Sequence, residues 1–464
     1  MKKFSALIFV SIITLFAFAS CKGDEKTVTL NVYNWGEYIS DGSDESYDTN
    51  YEFEQYFNTY LSAKYGGVKV KINYTTYPTN EDMYSKISSG SGAYDVICPS
   101  DYMIERLISE DMLLPLDWGS LKGESYKDSL NPNYTGDTFK FDPGNKYSVP
   151  YTYGRTGIIY NTKMVDEEDL GSWDLLWNPK YKGKILQFNN PRDAFGTAMY
   201  WKNIDINSDN EEDWNTALEL LKEQKPYLQG YVNDEVFDKM TGESAAIATY
   251  FVGDFVTMYS ENDDLAFYYP KEGTNVFVDA FCIPTSSKNP DIAMEYINFM
   301  LSPDAAIANA IYLGYSSPSR YVYNDDPALD DIYSEYNAEY LESLANDFFL
   351  DPEDENNPTE EEYAEAQEKA EQIFALLYEF DGDFEYSHNP IYRSFEPDIQ
   401  RHTNSLWEEL KIYGTSELWV HLTSGALILT VLVWAIYSTV VKKRRSRDYR
   451  LRDKALKEAK NKKS

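Results

Sequence analysis

The segment Asn34-Trp35-Gly36-Glu37-Tyr38 places an indole, a carboxylate and a phenol almost side by side, and Pro99-Ser100-Asp101-Tyr102 offers a hydroxyl, a carboxylate and a second phenol. Together such groups make a receptor for an organic cation. A carboxylate forms a charge-assisted hydrogen bond with an ammonium, and the negative face of a ring attracts the same charge. Methylene stretches between charges would be covered by stacked rings. A primary amine titrates near ~10, so it arrives protonated. The whole chain leans the same way, with 77 acidic against 42 basic side chains, a net charge of -35 and 16% aromatic residues. That field draws cations most strongly at low salt. Acidity also serves solubility alone, and composition does not choose between the two.

Other chemistries find less support. Between residues 22 and 441 the only arginines are Arg106, Arg155, Arg192, Arg320, Arg393 and Arg401. Nucleic acid needs basic side chains to neutralise phosphates, and anionic ligands favour the planar guanidinium, so both are disfavoured as partners. Of the three histidines, His421 falls in an apolar run, while His388 and His402 have no companion GxSxG or HExxH motif. A glycosidase built on two carboxylates has no spacing signature and stays open as an alternative. Ferric binding would favour clustered Tyr and His, and Tyr268-Tyr269 is the only adjacent tyrosine pair at a motif position. The Ser88–Gly92 loop lacks Walker spacing and reads as a turn. Cys98 and Cys282 sit in apolar, strand-like runs outside any CxxC, as buried free thiols or one disulfide.

The elements that must position these groups alternate strand with helix. Val28, Leu30 and Val32 alternate with polar neighbours. Phe53, Tyr56, Phe57, Tyr60 and Leu61 then recur at helical spacing up to Gly66-Gly67. A strand over 68–74, a short helix over 81–87 capped by Thr79 or Asn80, and a strand over 94–98 complete a β-α-β-α-β run. That order predicts a largely parallel sheet covered by helices, with ligands at the C-terminal strand edges, where both motifs lie. Further on, 157–161, 184–188 and 245–252 read as strands, and Trp214, Ala217, Leu218 and Leu221 as one helix face. The acidic stretch 351–372 contains a capping box, Thr359-x-x-Glu362, opening another helix.

Both ends point to a membrane. Residues 1–20 have two lysines, an apolar run and small residues, the make-up of a signal peptide. The small residues before Cys21 resemble a lipobox, which would make Cys21 the lipidated N-terminus followed by a linker over 21–27. Leu418–Val441 carries no charged side chain besides His421, long enough as a helix to span a bilayer. Lys442-Lys443-Arg444-Arg445 opens a tail, 442–464, with 12 basic and three acidic side chains, which should be cytoplasmic. The body would then lie outside the cell membrane, extracellular or periplasmic.

Several motifs in order, from Asn34–Tyr38 and Tyr94–Tyr102 through Ser148–Gly154, Tyr181–Lys184 and Pro270–Gly273 to Phe277-Val278-Asp279, resemble the bacterial spermidine/putrescine-binding proteins of ABC importers over about residues 28–325. The resemblance implies an α/β periplasmic-binding-protein-like fold of type 2, two lobes closing on a ligand by a hinge. Lobe one would comprise 28–150 and 277–320, and lobe two 151–276 and 321–415. Carried over by motif, Trp35, Tyr38, Tyr250 and Phe277 form the aromatic wall, with Tyr250 and Phe277 standing where the spermidine binder has tryptophans. Glu37 supplies a carboxylate, Ser100 and Tyr102 polar contacts, Asp193 a grip on a terminal amine, and Asp279 the central grip. Asn190 replaces an expected aspartate, one charge fewer. The implied function is capture of a polyamine for a permease and its ATPase by a monomeric ectodomain, with no catalytic residue, cofactor or metal. A sugar, ferric ion or quaternary amine is the alternative ligand.

Overall fold

The computed structural model describes residues 26–43, 46–90, 92–350, 358–378 and 391–414, with Thr430 and Trp434. The expected signal peptide, the Cys21 lipid site, the span over 418–441 apart from Thr430 and Trp434, and the basic tail lie outside the described residues. Among the described residues no helix is long and apolar enough to cross a membrane. The chain divides into two compact units, 1–404 and 405–464. The fold and site below belong to the first.

β1 (Thr27–Trp35) buries Leu30 and Val32 completely. α1 (Thr49–Tyr56) starts at Asp48, whose carboxylate accepts the Tyr51 N–H, and runs on through a wider turn over Phe57–Leu61. That continuation keeps Phe53, Phe57 and Leu61 on one buried face, as their spacing predicts. β2 (Lys69–Tyr77) lies parallel to β1 from Thr27 opposite Lys69 to Trp35 opposite Tyr77. α2 (Asn80–Ser88) is capped by Thr79, which accepts the Asp82 N–H. β3 (Val96–Ile97) pairs parallel on the other side of β1 and leads into α3 (Asp101–Ser109). β3 is shorter than expected because side chains hold its flank: Tyr94 stacks on Tyr33 at 4.2 Å, and Asp95 turns to other bonds.

β4 (Ser148–Asn161) is much longer than the 157–161 strand expected. It is buried at every position except Tyr160, so its first half shows no alternation to read, and Pro150 further disguises it. After it come β5 (Ile185–Phe188), α4 (Pro191–Trp201), α5 (Glu211–Gln224), β6 (Leu228–Val232), β7 (Ile247–Phe251), α6 (Val252–Glu261), β8 (Leu265–Tyr268) and β9 (Val276–Cys282). α7 (Pro290–Phe299), α8 (Pro303–Leu313), α9 (Asp330–Phe349) and α10 (Glu360–Tyr378) follow. The capping box forms: the Thr359 N–H donates to Glu362 Oε2 at 2.8 Å, and the Glu362 N–H to Thr359 Oγ1 at 3.2 Å.

The strands run β2-β1-β3-β9-β4-β7-β5-β6, with β8 also on β4. β4 serves two half-sheets: residues 148–155 pair antiparallel with β9, and residues 156–161 with β7 and β8. Leu30, Val96, Phe281 and Tyr296 pack with the α1 face in the first half, while Trp173, Leu186, Phe195 and Trp214 are buried in the second. Cys98 and Cys282 are free buried thiols.

Candidate functional site

The parallel strands β1 and β3 end beside each other, so their following turns meet. Asn34 organises the first turn: its Oδ1 accepts the Trp35 N–H at 2.9 Å and its Nδ2 donates to the Tyr38 carbonyl at 3.2 Å. Trp35 is half-buried, with its indole N–H bonded to the Cys98 carbonyl at 2.9 Å and its ring 4.7 Å from that of Tyr77. Glu37 takes a left-handed conformation, φ 48°, and is exposed. The structure therefore leaves Glu37 exposed while the turn sends Tyr38 inward to Asp279.

Asp279, in the middle of β9, is the acid that Tyr38 reaches. The Tyr38 hydroxyl donates to Asp279 Oδ2 at 2.6 Å and lies 2.6 Å from Thr152 Oγ1 of β4. Asp279 is only 5% exposed, and among the described residues its Oδ1 has no hydrogen-bond partner. Burial pushes its carboxyl up to about 6, while the Ser100 and Tyr38 hydroxyls temper the rise. Asp95 makes the contrast. Its carboxylate accepts the Asn31 N–H at 3.0 Å, the Ser287 hydroxyl at 2.8 Å and the Lys288 N–H at 3.0 Å, so it ties strand to loop, as a strand-end structural acid should. A buried acceptor left open is costly unless something else completes it.

The start of α3 supplies the next wall. Asn80 Nδ2 donates to Ser100 Oγ at 3.0 Å and to the Tyr102 hydroxyl at 3.1 Å, fixing both residues of the Ser-x-Tyr motif. Asp101 between them accepts the Tyr102 and Val278 N–H groups, and burial drives its carboxyl upward. Across from α3, Asn190 caps α4: its Oδ1 accepts the Asp193 N–H at 2.9 Å and its Nδ2 donates to Asp193 Oδ2 at 2.8 Å. The Tyr392 hydroxyl stands 3.2 Å from Asp193 Oδ1. Burial raises Asp193 to about 6, against those two partners.

Aromatic rings connect the two half-sheets. Phe188 meets Phe251 at 5.1 Å, Phe251 meets Phe277 at 5.4 Å, Phe277 meets Tyr315 at 6.0 Å, and Tyr315 meets Tyr38 at 5.9 Å. Tyr250 is buried and stacks on Phe188 at 5.5 Å, so Phe251 is the β7 ring that reaches Phe277. Sequence reading missed Phe251, Tyr315 and Asp254. The Tyr315 hydroxyl donates to Asp254 Oδ2 at 2.6 Å, and burial lifts Asp254 to about 7, with Asp234 adding to the rise. One signal was present: Gly253-Asp254 sits at a strand-to-helix junction, as Asp101 does. A Cβ on Gly253 would stand 2.4 Å from Tyr315 Cδ2. Gly253→Ala is therefore expected to displace that ring, costing ~1–3 kcal/mol of stability and weakening ligand binding, as a melting curve and a titration will show. Arg155 lies elsewhere, over the Tyr269 ring at 4.0 Å.

The profile of bacterial extracellular solute-binding proteins matches residues 55–336, and the chain belongs to that family. It is a solute-binding protein of α/β periplasmic-binding-protein-like fold, not an enzyme. The spermidine/putrescine-binding periplasmic protein of Escherichia coli (strain K12) is 29% identical over 320 residues, 69% of this chain and 85% of that protein. The putrescine-binding periplasmic protein PotF of the same strain is 28% identical over 332 residues, 68% and 82% of the two chains. Among solved structures, a putative spermidine/putrescine ABC transporter from Listeria monocytogenes superposes with a TM-score of 0.63 at 30% identity, over 83% of this chain and 99% of that one.

Proposed function

We propose that the chain is an extracellular receptor that captures a polyamine of the spermidine/putrescine class and delivers it to an ABC permease and its ATPase. The observation that carries this reading is the buried Oδ1 of Asp279, without a hydrogen-bond partner among the described residues, on an acid set beside Tyr38, Tyr315 and Phe277. An ammonium would complete that oxygen with a charge-assisted hydrogen bond of ~1.5–3 kcal/mol. Rings nearby add ~0.5–2 kcal/mol of cation–π attraction and cover the methylenes. The names of the relatives agree with this.

In this reading the two half-sheets are the cores of two lobes of a type 2 binding protein, 28–150 with 277–320 and 151–276 with 321–415. Closure would bring Asn190 and Asp193 toward Ser100 and Tyr102. The body is held at the membrane by a lipid on Cys21 and by the apolar segment 418–441, keeping captured ligand near the permease. Glu37, at the rim, meets the ligand on its way in.

Calorimetry on the full-length chain with spermidine, putrescine, glycine betaine and a neutral sugar tests the assignment. Heat is expected with at least one polyamine, and Trp35→Ala should weaken that binding about 10- to 100-fold by removing ring area. A response to sugar alone, or to glycine betaine alone, would end the polyamine reading.

A further inference from the structure

Thr152 is buried in the first half of β4, directly across from Asp279 of β9. A bulge gives it that place: Pro150 pairs with Ala280 and Thr152 with Asp279, so Tyr151 is the extra residue. In unbroken register Tyr151 would stand opposite the acid, with a ring where a hydroxyl now is. The displaced Tyr151 instead donates its hydroxyl to the Tyr38 carbonyl at 3.2 Å, and its ring meets that of Tyr38 edge-on at 5.9 Å. The bulge therefore holds Tyr38 twice, by its main chain through Tyr151 and by its hydroxyl through Thr152.

Proton counting sets the direction of these bonds. An ionised carboxylate only accepts, and a phenol has one proton to give. Tyr38 gives its proton to Asp279 Oδ2, so Thr152 Oγ1, 2.6 Å from the phenol oxygen, is the donor there. Hydroxyls in such a chain polarise one another, and Thr152 makes Tyr38 the stronger donor. We infer that Thr152 is a positioning residue of this site, acting through Tyr38 to hold Asp279 Oδ2 and leave Oδ1 to an ammonium of the ligand. The inference rests on the polyamine reading above. A protonated carboxyl is the weaker acceptor, so loss of Thr152 penalises the ionised form more and moves the titration of Asp279 to higher pH. Tyr38, Tyr77, Cys98, Asp101 and Tyr315 also face Asp279, from the turn after β1, from β2, from the end of β3, from the start of α3 and from the segment after α8. Burial pushes all five upward, which keeps the phenols and the thiol neutral, and Asp101 is tied to the Tyr102 and Val278 N–H groups rather than to Tyr38.

Titration of putrescine and spermidine into the full-length chain between pH 5 and 8, unaltered and as Thr152→Val, Thr152→Ser and Tyr38→Phe, tests this. In Thr152→Val the affinity at pH 7.5 should fall about fivefold and the pH midpoint of binding should rise by about 0.5 unit. Thr152→Ser should restore both, and Tyr38→Phe should raise the midpoint by itself. Adding Thr152→Val to Tyr38→Phe should then move it no further, because the two hydroxyls act in series. A folded Thr152→Val protein with an unmoved midpoint overturns the inference, whatever its affinity, and leaves the polyamine reading standing. A second full shift on top of Tyr38→Phe, or no shift in Tyr38→Phe, does the same. If melting shows Thr152→Val unfolded, Tyr38→Phe alone decides. No binding of either amine by the unaltered chain removes the polyamine reading and this inference with it.

Discussion

Replacing Asp279 by asparagine lowers polyamine affinity at least ~100-fold and at the same time raises the melting temperature of the ligand-free protein. The two effects share one cause. In the free protein the Asp279 carboxylate is buried with one oxygen unpartnered among the described residues, and burial lifts its pKa to about 6. Each unit of such a rise costs ~1.4 kcal/mol of stability once the group is ionised. An amide removes that charge, and its oxygen still accepts the bond from Tyr38. The ligand loses the buried anion it pairs with, a loss of ~2–5 kcal/mol when one partner of such a pair is truncated. Calorimetry and a melting curve on the same preparation check both halves. A variant that binds more weakly and also melts lower would mark Asp279 as a structural residue.

Acidification separates binding from stability in the same way. Asp279 and Asp193 stand at about 6 and Asp254 at about 7, all raised by burial above the ordinary ~3.9. Because the folded values exceed the unfolded ones, the native chain binds more protons than the unfolded chain across that interval. The stabilisation is complete below pH ~4 and is lost as the pH climbs through 6 and 7. The ligand-free protein should therefore melt higher at pH 5 than at pH 7.5. Polyamine binding needs the carboxylates ionised, so affinity should fall about tenfold per pH unit below 6 for each acid that grips an ammonium. Titrations at pH 5, 6 and 7.5 read the second effect and melting at the same pH values the first. Affinity that held constant down to pH 5 would exclude Asp279 from the contact.

Much of the scaffold was legible in the residues themselves, for reasons that also mark where legibility stops. β1 and α1 show a period because one face is buried and the other is wet, so Leu30 and Val32, or Phe53 and Phe57, stand out. The first half of β4 is buried on both faces and shows none. The candidate motifs at Trp35–Tyr38 and Ser100–Tyr102 stand out in the chain because each is contiguous. Tyr315 and Asp254 are 61 residues apart and meet only through the packing of Gly253 under a ring, which no local pattern encodes. Nor does sequence tell two acids apart by what their oxygens touch. Asp95 and Asp279 both sit in apolar strand contexts, yet among the described residues Asp95 uses both oxygens and Asp279 only Oδ2. Nor does sequence foretell exposure: Glu37 stands beside Trp35 and Tyr38 in the chain, but in a left-handed turn that leaves it exposed.

The double duty of β4 carries a mechanical consequence. Its first eight residues complete one half-sheet and its last six the other, within a single unbroken strand of 14. Neither half can shed that strand and keep its own ladder, so losing one strips an inner strand from the other. Denaturation should then be all-or-none across both halves despite their separate cores, and a lesion in either is felt by the whole.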